Sequence, residues 1–249
     1  MIDEKLIRKI LKLEKELDSA FFLDDIDSLE INHKSDRSLV TRVDKAVSHL
    51  VKLNCPPSWC FYSEEDHENL AYPAMILDPL DGTKEFASGR DDFAFSLSLM
   101  ESNSFLTGDH WSWIYSPRNQ LSVHSSNLEN YYTKRSSSIK TILVSRTEYD
   151  LNLFKSLELM GYKVQPVGSI AYKLALLITG KADAVVTLKP KNIWDISAGT
   201  EMLYRLNGIC LHQGREYKHI TEVRLRPSLY WAFCFPPNDL LDFLKKEHR

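Results

Sequence analysis

The chain has 249 residues, 43 % apolar and 26 % charged, with 31 basic against 34 acidic side chains and a formal charge of −3. That balance is globular and long enough to bury a core unaided, which excludes a disordered tail, a collagen-like rod and a disulfide miniprotein. A weakly acidic surface does not recruit a nucleic-acid polymer or an anionic membrane by bulk charge, so a phosphate-bearing partner has to be held locally, for instance through a metal.

Residues Met1 to Leu17 have a 3.6-residue period, with Ile2, Leu6, Ile10, Leu13 and Leu17 on one side; they predict one surface helix ending near Asp18. The segment lacks the apolar h-region of a signal peptide, and no run approaches the ~20 apolar residues of a membrane span, so a cytoplasmic protein is expected. Residues Phe21 to Asn32 are acidic and irregular. Thr41 to Leu53 has helical spacing, with Thr41 as N-cap and Pro56-Pro57 as the stop. Met75 to Leu77 is a buried strand that ends at Asp78-Pro79-Leu80-Asp81-Gly82-Thr83, and Lys84 to Ser88 opens a helical turn. Phe93 to Met100 alternates as a strand does, and Ser112–Tyr115 and Gln120–His124 flank a turn to form a hairpin. Residues Ser125 to Lys140, Ser-rich and charged, read as a linker or mobile loop.

The pattern then changes. Strands at Thr141–Ser145, Lys163–Pro166 and Ala184–Thr187 alternate with helices at Leu151–Met160, Ser169–Thr179 and Asp195–Leu206. This predicts an α+β half over 1–130 and an α/β half over 131–249, sharing one cleft. The four cysteines, Cys55, Cys60, Cys210 and Cys234, have neither CxxC nor zinc-finger spacing and read as inert thiols.

Three acidic clusters carry chemistry: Ser63-Glu64-Glu65-Asp66, the Asp78–Thr83 segment and Trp194-Asp195-Ile196-Ser197-Ala198-Gly199. Alone, each has an ordinary reading as a solvated face, a turn or a helix cap. In the second, Pro79 restricts the chain and Gly82 permits a tight turn, so Asp78, Asp81 and the Leu80 carbonyl can face one spot. Such hard oxygens suit Mg²⁺, and the Gly82 and Thr83 amides can receive a phosphate. The aspartyl-phosphate chemistry of Asp-x-Asp-Gly-Thr phosphatases is excluded, because Pro79 stands two before Asp81.

Together these segments resemble the inositol monophosphatase superfamily. Asp78–Thr83 matches its DPxDGT, Trp194–Gly199 its WDxAAG (with Ser197 for an alanine), Glu64-Glu65 its paired glutamates, Asp44 its TxxD and Gly168-Ser169 its Gly-Ser before a helix. Ser63–Asp66, Lys84-Glu85-Phe86, Lys34-Ser35-Asp36 and Val144-Ser145-Arg146 resemble the CysQ-type 3'(2'),5'-bisphosphate nucleotidases. The Lys189–Ile193 approach to Trp194 and the region after Gly208 depart from that branch.

The resemblance implies a layered α-β-α-β-α sandwich and a lithium-sensitive, Mg²⁺-dependent phosphomonoesterase. Glu64, Asp78, Asp81, Asp195 and the Leu80 carbonyl would hold two or three Mg²⁺ ions. Asp44 and Thr83, with Glu64, would orient or deprotonate water; Asp81, Gly82, Thr83 and Asp195 would contact substrate. The expected substrate is 3'-phosphoadenosine 5'-phosphate, with inositol-1-phosphate and a non-catalytic phosphate-binding role as alternatives. Partners reduce to a small phosphorylated metabolite, with neither nucleic-acid polymer nor membrane; a homodimer is allowed for. Lys34, Arg146, Lys173, Lys189 and Lys191 stand as candidate phosphate partners with surface charge as the alternative, and Trp59, Tyr72 and Trp113 as base-stacking candidates with core packing favoured.

Overall fold

The computed structural model describes residues 2–22, 32–33, 39–40, 42–67, 69–131 and 138–246. In chain order the first elements are α1 (Glu4–Leu11), α2 (Glu14–Phe21), β1 (Asn32–His33), β2 (Leu39–Val40), α3 (Arg42–Lys52), β3 (Cys60–Ser63), β4 (Ala74–Asp81), α4 (Thr83–Ala87), β5 (Ala94–Met100), β6 (His110–Ser116) and β7 (Leu121–His124). They are followed by β8 (Thr141–Ser145), α5 (Arg146–Asp150), α6 (Lys155–Leu159), β9 (Lys163–Val167), α7 (Ile170–Ile178), β10 (Ala184–Thr187), β11 (Lys191–Asn192) and α8 (Ile193–Arg205). The chain closes with β12 (Ile209–His212), β13 (Arg215–Glu216), β14 (Arg224–Leu225), β15 (Leu229–Ala232) and α9 (Asn238–Lys245).

Two mixed sheets organise these elements, a five-stranded one in the order β3-β4-β5-β6-β7 and a six-stranded one in the order β13-β12-β15-β10-β8-β9. Side-chain alternation decides the layers, because successive strand residues face opposite sides. In β4, Met75 and Leu77 pack with Ile10, Leu17, Phe21, Val43 and Val47 of α1, α2 and α3. Their neighbours Ala74 and Ile76 face the other way, into a core with Leu174 of α7 and Ile196 and Met202 of α8. The second sheet meets that same core through Val185, Leu229 and Trp231. Its far face, through Ala184, Val186, Tyr230 and Ala232, covers Phe154, Leu157, Leu240 and Phe243 from the α6 and α9 layer. The result is α-β-α-β-α, with α7 and α8 enclosed between the sheets.

Several boundaries differ from the sequence expectation, each for a local reason. The single N-terminal helix is two helices, because Leu13 N–H bonds the Ile10 carbonyl and tightens the chain between α1 and α2. The tightening keeps Ile10, Leu13, Leu17 and Phe21 all buried. The helix expected over Leu151–Met160 is instead α5 and α6, separated by Asn152 at φ 57°, a left-handed position that asparagine tolerates. The strand expected to end at Asp78 runs on to Asp81. Helix α8 starts at Ile193, so Asp195 lies inside its first turn. Of the expected linker, residues 125–131 are ordered: Ser125 hydrogen-bonds to Ser112 and Glu201, and Leu128 is buried. Residues 132–137, Thr41 and Lys34-Ser35-Asp36 lie outside the described residues. The region after Gly208, for which no element is expected, supplies β12, β13 and β15 to the second sheet. Among the described residues no helix is long and apolar enough to cross a membrane.

Candidate active site

The site grows from the end of β4. Between Asp78 and Asp81 the register with β5 shifts, three steps along β4 matching two along β5. This bulge accommodates Pro79, which has no N–H to give the ladder, and reorients the two carboxylates. Asp78 Oδ1 accepts the Leu80 N–H at 3.0 Å, and the Leu80 carbonyl accepts the Thr83 hydroxyl at 3.0 Å. Gly82 turns the chain into α4 at φ 93°, where an added Cβ would lie 3.2 Å from both Phe93 Cβ and Ser169 Cβ. Gly82→Ala is therefore expected to destabilise the protein by about 1–3 kcal/mol, lowering Tm by roughly 2–10 °C in a thermal melt. An unchanged Tm would contradict the close approach at this turn.

Further groups come from α7 and α8, the helices enclosed between the sheets. Gly168 leaves no room for a side chain against Glu85 and the Asp92 carbonyl, which lets the loop before α7 approach α4. Ser169 caps α7, accepting the Tyr172 N–H at 2.9 Å, and its hydroxyl donates to Asp81 Oδ2 at 2.5 Å. The Ala171 N–H donates to the same oxygen at 2.6 Å. The first turn of α7 thus fixes Asp81 at the end of β4. In α8 the Asp195 carboxylate turns back to the Asn192 N–H at 2.9 Å. Ser197, which replaces an alanine of the family motif, is fully buried and meets the Ser98 hydroxyl of β5 at 2.6 Å. Each serine removes the unsatisfied polar group that the other would leave.

Asp78, Asp81 and Asp195 each bring a carboxylate oxygen to within 4.8 Å of the others. Glu64 joins from the end of β3, its N–H bonded to the Leu77 carbonyl at 3.2 Å. Asp44, 1 % exposed, lies on the buried side of α3. Burial first, then the charges of Glu64, Asp81, Asp195 and Asp44, hold the Asp78 carboxyl well above the usual carboxylate range. Asp195 is pushed up to about 7, by burial first and by Asp81 and Glu64, against the lowering charge of Lys191 and the Asn192 hydrogen bond. Like charges in a low-dielectric site keep protons or take up a cation. The donors are all hard oxygens, so the residues fit Mg²⁺.

Other sequence candidates fall elsewhere. Asp66 is ion-paired with Lys52, and Arg146 with Asp92, whose Oδ2 also accepts the Gly168 N–H at 2.6 Å. Lys173 is buried, with its ammonium on the Val167 and Gly168 carbonyls; burial and the charge of Lys191 push it down to about 8. Lys189 is exposed and Lys191 half-buried. Trp113 is a core residue, and Trp59 and Tyr72 pack partly buried against the cores. One role and one residue escaped sequence reasoning. Ser169 was legible in the Gly-Ser before a helix, but not as the holder of Asp81. His67, its ring 4.9 Å from that of Trp194 and tilted 45° to it, with Nδ1 donating to the Ser63 carbonyl at 2.8 Å, has no sequence signal.

The model of the inositol monophosphatase family matches residues 3–225. The chain belongs to this family. Among curated relatives, the 3'(2'),5'-bisphosphate nucleotidase CysQ of Escherichia coli strain K12 is 27 % identical over 192 residues, covering 69 % of this chain and 75 % of the relative. CysQ of Buchnera aphidicola is 25 % identical over 200 residues, covering 72 % and 73 %. In fold, the chain is similar to a lithium-soaked inhibitory complex of Staphylococcal inositol monophosphatase-1, with TM-score 0.79, 18 % identity and complete coverage of both chains. It is also similar to an IMPase/NADP phosphatase complexed with Mg²⁺ and phosphate, with TM-score 0.76, 17 % identity and 96 % and 95 % coverage. The two sheets and the acid-bearing helix of this family member point to a metal-dependent phosphatase.

Proposed function

We propose that the protein is a Mg²⁺-dependent phosphomonoesterase that hydrolyses 3'-phosphoadenosine 5'-phosphate to AMP and phosphate. The observation that carries this is the convergence of Asp78 and Asp81 with Asp195 on one spot, in a chain whose curated relatives are CysQ nucleotidases. The metal ligands would be Glu64, Asp78, Asp81, Asp195 and the Leu80 carbonyl, with residues 1–130 and 131–249 each lending part of one cleft. When bound, Mg²⁺ supplies positive charge against the phosphate dianion and acidifies water.

The chain's own groups do the rest. Thr83 gives its only hydroxyl proton to the Leu80 carbonyl, so towards water its oxygen can only accept. Proton uptake then falls to a carboxylate, and Asp44, paired with Thr83 across the water, is assigned that role, with Glu64 beside it. The Gly82 and Thr83 amides and the first turn of α4 receive the phosphate oxygens. Ser169 and the Ala171 amide keep Asp81 aimed across the cleft while substrate enters. Lithium sensitivity and a cytoplasmic location belong to the same reading.

The test is phosphate release from 3'-phosphoadenosine 5'-phosphate, inositol-1-phosphate and fructose 1,6-bisphosphate, with Mg²⁺ or with EDTA. Mg²⁺-dependent release with the nucleotide preferred by tenfold or more is expected. Preference for inositol-1-phosphate would keep the metal chemistry and replace the substrate. Release indifferent to EDTA would remove the metal, and binding without release would favour a phosphate-binding role.

A further inference from the structure

Among the described basic candidates, Lys191 is the one that is half-buried without an ion pair, whereas Lys189 is exposed to solvent. Arg146 is spent on Asp92, and Lys173 on two backbone carbonyls in the interior. Lys191 makes no ion pair or side-chain hydrogen bond among the described residues, yet it is half-buried.

Its direction follows from the strand pairing. Strand β11 pairs antiparallel with β14, Lys191 opposite Leu225 and Asn192 opposite Arg224. Residues directly opposite share a face. Leu225 is fully buried in the core between the sheets, whereas Arg224 is exposed, so Lys191 shares the inward face. The next residues begin α8 and deliver Asp195 to the carboxylate cluster. Lys191 thus stands one helical turn before Asp195 in the chain, and its charge acts on both Asp195 and Lys173, so it lies near the acidic cluster.

A half-buried ammonium loses part of its hydration, and an anion that joins it restores that loss. The carboxylate nearest in charge, Asp195, belongs to the metal set under the proposed function, and so does the phosphate that is cleaved. We propose that Lys191 selects substrates carrying a second phosphate beyond the one hydrolysed, and that it binds this second group. The inference rests on the phosphatase reading above, and it ties the Lys189–Ile193 departure from the CysQ pattern to specificity. Lysine serves here as a point charge for phosphate.

The experiment compares 3'-phosphoadenosine 5'-phosphate with adenosine 3'-monophosphate, which lacks only the second phosphate, on wild type, Lys191→Gln and Lys191→Arg. The ratio of the two kcat/KM values is expected to favour the bisphosphate in wild type and to fall at least ~10-fold in Lys191→Gln, mainly through KM, with Lys191→Arg keeping most of it. An unchanged ratio overturns the proposal. So does an equal loss on both nucleotides, which would make Lys191 a counter-ion of Asp195. If wild type hydrolyses neither nucleotide, the phosphatase reading fails by itself. Calorimetric Kd values of the same two nucleotides then decide: a ratio falling ~10-fold in Lys191→Gln supports the proposal, and a constant ratio ends it.

Discussion

Asp195→Asn is expected to cut Mg²⁺-dependent phosphate release by at least ~100-fold while leaving the fold intact. The size follows from the position: changing groups that merely support a metal ligand costs 10–100-fold, and Asp195 is a proposed ligand itself. The intact fold follows from the hydrogen bonding. Asp195 accepts the Asn192 N–H at 2.9 Å, and an asparagine carbonyl can accept the same bond. The substitution also removes one negative charge from beside Asp78, so the metal-free variant should melt at or above the wild-type temperature. Activity within tenfold of wild type would remove Asp195 from the metal set. Loss of activity together with a fall in Tm would reduce it to a helix-capping residue.

The second large effect concerns pH. The Asp78 and Asp195 carboxyls are both raised in the folded protein, Asp195 to about 7, whereas unfolded aspartate titrates near ~3.9. Between those values the folded protein holds protons that the unfolded chain has released. Stability from these groups is therefore full at low pH and is lost as pH rises through the folded-state values. His124 and His212, whose imidazoles burial pushes down, act in the opposite sense as pH falls, and Lys173 does so above about 8. Comparing wild type with Asp195→Asn isolates the carboxylate. From pH 6 to 7.5, metal-free wild type should lose at least ~3 °C more in Tm than the variant, equivalent to ~1 kcal/mol. Mg²⁺ should raise the wild-type Tm more at pH 7.5 than at pH 6, since protons compete for the same oxygens. Parallel Tm-against-pH curves for the two proteins would refute the raised Asp195.

Apolar periodicity alone placed β5, β8, β10, the β6–β7 hairpin and α3 to within a residue or two of where they lie. Each is a run whose burial repeats with its own backbone period, so local spacing carries the information. The breaks were less legible. The split at Lys12-Leu13 and the left-handed Asn152 leave the apolar spacing almost unchanged, and only packing reveals that a helix has ended there. Strand β3 and the strands after Gly208 are short, and β15 finds its partners β10 and β12 far along the chain.

The acids of the site were legible as residue types at set spacings, because Asp-Pro-x-Asp-Gly-Thr constrains its own backbone whatever surrounds it. Their common purpose was not, since Asp78 and Asp195 are more than a hundred residues apart and only the sandwich of α8 against β4 and β5 brings their oxygens within 4.8 Å. The tertiary structure also decided which cations are spent. Arg146, Lys173 and Lys191 are alike in sequence as basic residues of the second half. Burial and partners send the first to a carboxylate and the second to carbonyls, and leave the third half-buried without an ion pair among the described residues. Sequence determined the chemistry available, because side-chain type is local; the fold decided where charge meets charge, because burial and distance are properties of the whole chain.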